Sequence, residues 1–154
     1  MSTVNRKDIH AAVRTLLQGI TPGNGYHHDL SPAGAVSLVQ SRGRAATSRG
    51  PRLEIATGEL RESRAQGGDL SHYGQEMPVR IYGLVPYTAS PEATLESTCD
   101  LEADIRKAFH ADRKVGDTCH DVKVDTQAML SPTDSNTNRP GELFAEATLY
   151  WRRR

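Results

Sequence analysis

The sequence has no excess charge of either sign, few aromatics, only two cysteines and no long apolar run. Its 154 residues carry 19 Lys+Arg against 19 Asp+Glu, a formal net charge of zero. No global field therefore draws the chain to nucleic acid or to an anionic membrane, and any such contact must come from a local patch. Hydrophobic residues make up 36% and aromatics 5%, with a mean hydropathy of -0.58, which predicts a lean core and long loops. No stretch approaches the ~20 consecutive apolar residues of a membrane-spanning helix, so a soluble chain with no membrane partner is expected. Cys99 and Cys119 stand twenty positions apart without a second pair. That is neither a disulfide framework nor a Cys-x-x-Cys motif, and both read as free thiols. The opening Met1-Ser2-Thr3-Val4-Asn5-Arg6-Lys7-Asp8 lacks the apolar region and cleavage site of a secretory signal, which predicts a cytoplasmic chain. The length is that of one domain, 1–154. Zero net charge favours association, a first pointer to an assembly.

What is present is a clear alternation of periods. Ile9, Ala12, Val13, Leu16 and Ile20 recur at helical spacing and predict a helix over roughly Asn5 to Gln18, with Asn5 as its cap and Asp8 at the positive end of its dipole. Ala35 to Gln40 and Arg52 to Ala56 read as strands around a polar, Gly-rich hairpin tip, Ser41 to Gly50. Gly58 to Gln75 reads as a long loop or a ragged extension of that hairpin. Val79, Ile81, Gly83 and Val85 alternate with Arg80, Tyr82 and Leu84, which predicts a well-buried strand. Ser90-Pro91-Glu92 is a helix start, with Ser as cap and Pro at the first position. The helix is predicted to run to about Ala111, with Leu95, Thr98, Leu101, Ile105, Ala108 and Phe109 facing the core and Glu96, Asp100, Asp104 and Lys107 facing water. Val122 to Leu130 and Leu143 to Trp151 alternate with period two around the polar stretch Ser131 to Gly141, a predicted antiparallel hairpin. The order helix, strands, helix, strands predicts an α+β domain: a mainly antiparallel sheet, two principal helices on one face, and long polar loops.

Motifs that carry chemistry are scarce. His27-His28-Asp29 has ligand-like residue types, but neighbours on a regular backbone point in different directions and no paired Cys/His motif supplies further ligands, so it reads as a solvated loop. His72, His110 and His120 read as surface or capping residues. There is no nucleophile elbow, phosphate loop or paired-acid arrangement, so neither an enzyme nor a metal or other cofactor is expected. Basic residues are the one asymmetric feature. Arg42, Arg44, Arg49 and Arg52 stand without an acid between them, Arg61 and Arg64 lie in the middle loop, and Arg152, Arg153 and Arg154 end the chain. Two readings stay open for them: a solvated loop and tail, or contact with an acidic partner or passing DNA.

From Pro78 to Arg152 the order of elements resembles the tail terminator family of long-tailed bacteriophages, also known as tail completion or minor tail proteins. The likeness lies in Val79-Arg80-Ile81-Tyr82-Gly83-Leu84-Val85, then a helix with Asp100-Leu101-Glu102-Ala103-Asp104-Ile105-Arg106-Lys107-Ala108-Phe109. The turn Asp112-Arg113-Lys114-Val115-Gly116-Asp117 and a last strand ending in Tyr150-Trp151 complete it. At Val115 and Asp117 the family's turn usually has Leu and Gly. The resemblance implies a structural virion protein that assembles in the host cytoplasm. It would form a homohexameric ring at the head-proximal end of the tail tube, end tube polymerisation and offer the head-joining surface. Implied partners are further copies of the chain, the tail tube protein and a head completion or neck protein, with DNA touched in passing in the lumen. A head completion or neck connector ring is the alternative, and a nucleic-acid-contacting module a third. On this reading sheet and hairpin edges form the subunit interface. The loops at 41–50, 58–75 and 131–141 project towards tube and head, and the arginines Arg42, Arg44, Arg49, Arg61, Arg64, Arg152, Arg153 and Arg154 face a partner or the lumen.

Overall fold

A computed structural model describes residues 5–38, 50–63, 73–129 and 140–152. Helix α1 (Arg6–Gln18) starts where Asn5 takes an extended backbone and its side chain accepts from the Lys7 amide. Ile9, Val13 and Leu17, four residues apart, are its buried stripe. Helix α2 (Pro91–Ala111) is capped by the Ser90 side chain, which accepts from the Ala93 amide at 3.1 Å. Between the helices come β1 (Val36–Leu38), β2 (Arg52–Thr57), the two-residue β3 (Arg61–Glu62) and β4 (Tyr73–Val85); after α2 come β5 (Asp121–Met129) and β6 (Gly141–Arg152).

These strands form one six-stranded sheet in the order β1-β2-β4-β6-β5, with β3 paired to β4 beyond the end of β2. The long pair β4/β6 is its spine, with Ile81 opposite Ala145 and Met77 opposite Leu149. The period-two pattern puts Leu53, Ile55, Met77, Val79, Ile81, Val85, Val122, Leu143, Ala145, Ala147 and Leu149 among the buried core, together with Leu101, Ile105 and Phe109 of α2 and the α1 stripe. Both helices thus pack on the same face of a mostly antiparallel sheet, as the order of elements predicts, and β5/β6 is the expected antiparallel pair.

Pro78 explains why β2 and β3 are separate strands. It has no N–H to give a neighbour, and the flanking chain breaks opposite it. Gly58 fills the break by donating its amide to the Pro78 carbonyl at 2.7 Å. A Cβ at Gly58 would lie 2.6 Å from Pro78 Cγ, so only glycine approaches this closely.

The structure corrects two sequence expectations. β1 and β2 pair in parallel, Val36 with Leu53 and Leu38 with Ile55, so they are not a hairpin: parallel neighbours require a connection that carries the chain back along the strand. An alternating run of apolar and polar residues marks a strand but not its sense. Asp104, assigned to the wet face of α2, is 1% exposed, because the loop after α1 folds over it. The middle stretch is neither wholly loop nor an extension of a β1/β2 hairpin, since Arg61 and Glu62 pair as β3 with Glu76 and Gln75 of β4. Residues 41–49 of the predicted hairpin tip, 64–72 of the middle loop and 131–139 of the connection before β6 lie outside the described residues.

Candidate functional site

The histidine–aspartate cluster after α1 is held by α2. Its backbone makes the contacts: the His27 amide donates to both carboxylate oxygens of Asp104 at 3.0 and 3.1 Å, and the His28 amide donates to Oδ2 at 2.9 Å. A buried carboxylate needs such donors, and consecutive amides supply them. The His28 ring lies 2.8 Å from the Ser97 carbonyl oxygen. Lys107 Nζ donates to the Gly25 carbonyl at 2.6 Å and stands 4.8 Å from the centre of the Tyr26 ring. Asp29 turns away and accepts from the Ser31 hydroxyl at 2.6 Å and the Ser31 amide at 3.0 Å, the hydroxyl foremost in holding its carboxyl below the usual range. The cluster therefore straps a loop to a helix. Among the described residues no group of three His, Cys, Asp or Glu is placed to hold a metal ion.

Residue 104 carried a legible signal, since it stands three after Leu101 and four before Ala108, inside the apolar stripe. Its charge hid it. His10 was also missed. Its Nε2 shares a hydrogen bond with Thr57 Oγ1, Arg6 donates to the Thr57 carbonyl at 2.9 Å, and its Nδ1 is buried without a partner among the described residues. Burial first, then the Arg6 charge, lowers the His10 pKa.

On the sheet face away from the helices, cross-strand neighbours build charged rows. Arg61 faces Glu76, Glu76 faces Tyr150 and Tyr150 faces Asp121. Arg61 Nη2 meets Glu76 Oε2 at 3.0 Å, and Arg113 grips Asp121 with Nε at 2.7 Å and Nη2 at 3.1 Å. Burial, with Glu76 and Asp125 adding to it, raises the Tyr150 pKa. Further along the face, the Tyr82 and Phe144 rings stack tilted, 4.9 Å between centres, and Tyr82 donates to Glu142 at 2.9 Å. No described helix covers this face.

Of the predicted partner-facing arginines, Arg61 is ion-paired to buried Glu76. Arg152 lies at the same end of the sheet, its side chain exposed and its amide donating to His120 Nδ1 at 3.1 Å. Arg42, Arg44, Arg49, Arg64, Arg153 and Arg154 lie outside the described residues. The two thiols differ sharply. Cys99 is exposed and Cys119 buried; burial, then Asp121 and Asp112, pushes the Cys119 thiol up to about 12. Beside it Val115, Gly116 and Asp117 take φ of 45°, 61° and 62°. Three left-handed residues in succession reverse the chain into β5, and Trp151 secures the turn by donating from Nε1 to the Thr118 carbonyl at 2.9 Å. Among the described residues no helix is long and apolar enough to cross a membrane. A scan against protein-family models gives no match to this chain, and a search of curated proteins gives none either.

Proposed function

We propose that this protein is a structural virion subunit that closes into a hexameric ring at the head-proximal end of a phage tail tube, ending tube growth and offering the surface that joins the head. The observation that carries the reading is the surface left by the fold: among the described residues helices cover one sheet face only, and β1 ends the strand order with Leu38 53% exposed. An open strand edge with a large aliphatic side chain invites another chain. When that contact joins two different patches and the rotation closes, the product is a ring. The resemblance of the element order from Pro78 to Arg152 to that of tail terminators supports putting the ring at the end of the tail. Its partners on this reading are the tube protein on one side and a head completion or neck protein on the other. Arg42, Arg44 and Arg49 face the lumen or an acidic partner.

Sedimentation across concentration, with and without divalent ions, tests the ring, and negative stain shows its hole. Rings of one size are expected, lost in Leu38→Lys. A strict monomer under every condition would overturn the proposal. In phage assembly, replacing Arg42, Arg44 and Arg49 together by Ala is expected to disturb tail length or head joining; unchanged tails would make that loop merely solvated. Rings that bind heads but leave tube length uncontrolled would favour a neck connector instead.

A further inference from the structure

We propose that the outer edge of β5 pairs antiparallel with the same edge of a second copy of this chain, about a two-fold axis through Val124. β5 ends the strand order, so its outer backbone groups meet no strand among the described residues. It is nine residues long, a long edge to leave open. Lys123, Asp125 and Gln127 are exposed, and Val124 and Thr126 half-buried. Neither Lys123 nor Asp125 forms an ion pair among the described residues, so both charges are available.

Charge selects the register. A two-fold axis perpendicular to the sheet keeps each copy's helices on one common face and matches side chains of like orientation. Centred on Lys123, the axis sets Lys against Lys and Asp121 against Asp125. Centred on Asp125, it sets Asp against Asp. Centred on Val124, it sets Lys123 against Asp125 of the second copy twice over, and Asp121, already gripped by Arg113, against Gln127. On the helix side Val122 meets Thr126 and Val124 meets Val124, all β-branched residues suited to cross-strand packing. The seven residues Asp121 to Gln127 span roughly 24 Å at the strand rise. A contact of that size is well below a standard interface, so a reversible, concentration-dependent dimer is expected.

This contact is isologous and closes on itself. It does not rest on the ring reading: it would pair free subunits or join two rings through opposed copies. Sedimentation equilibrium of the full chain tests it with charge exchange. Lys123→Asp turns both cross-axis pairs repulsive and should weaken the dimer about tenfold or more, whereas Lys123→Asp with Asp125→Lys should restore it. In a Cys99→Ser background, Val124→Cys should cross-link copy to copy under mild oxidation. Residues directly opposite across antiparallel strands are about 4.5–5.5 Å apart at Cα, within disulfide reach. Circular dichroism of each variant confirms that it folds. A monomer at every concentration overturns the proposal, as does an oligomer that Lys123→Asp leaves intact and that Val124→Cys fails to cross-link. A ring of that second kind, lost in Leu38→Lys, would leave the ring reading standing without this one. A cross-linking dimer that never forms rings would do the reverse.

Discussion

At Asp104 one carboxylate gathers two consecutive amides and anchors the loop after α1 to the middle of α2. Asp104→Asn keeps the volume but replaces one acceptor oxygen by a donor that faces an N–H. Leaving a buried donor unpaired costs about 1–3 kcal/mol, so the urea midpoint is expected to fall with the slope unchanged; an unchanged midpoint would show that water satisfies those amides. His10 adds a pH dependence. Its pKa is lowered in the folded chain by burial and by Arg6, so the unfolded chain binds the proton more tightly. The neutral ring's full contribution is present above the unfolded value, about 6.5, and is lost as pH falls below it. His10→Gln does not titrate, so it should lose less stability than the parent between neutral pH and pH 5; equal losses by urea melts would sink this account. The spacing of Asp104 was legible, but the exposure of neither residue was. Asp104 shares the helical spacing of the core and His10 flanks it, but whether a polar side chain at such a position is wet depends on what folds over it, which periodicity does not encode.

Between elements, α2 comes close to the start of β6. A Cβ at Gly141 would overlap Thr98 Oγ1 and lie 3.2 Å from Thr98 Cβ, while Thr98 is fixed by donating to the Thr94 carbonyl at 2.7 Å. Gly141→Ala therefore overpacks the helix–sheet seam and is expected to destabilise by about 1–3 kcal/mol. Adding Thr98→Ala should recover part of it, so that a double-mutant cycle shows coupling; strictly additive losses would place the strain elsewhere. Helix starts were the most legible features, because Asn5 and Ser90-Pro91 act on amides two or three residues away. Strand pairing was less so. The last hairpin followed from two alternating runs around a polar stretch, yet the same signal between β1 and β2 belongs to parallel neighbours, since direction is set by the route of the connection.

For the whole molecule, the thiols report whether the core opens. Cys99 is exposed, and Cys119 is buried with its thiol pushed up to about 12, so it presents almost no thiolate at neutral pH. One thiol per chain should react quickly with an aromatic disulfide reagent in the native protein and two in urea; two fast thiols without denaturant would mean that the turn before β5 opens locally. Composition and period alone specified a lean α+β fold, its two helices, its caps and the apolar face of the strands around Ile81, Val124 and Ala147, because these follow from local spacing and from which side chains avoid water. The parallel β1/β2 pair, the burial of Asp104, the Arg61–Glu76 ion pair and the strand order that sets β1 and β5 at its ends depend on contacts between residues far apart in the chain. They are fixed only when the sheet closes, since pairing direction and the covering of a polar group are properties of neighbours in space.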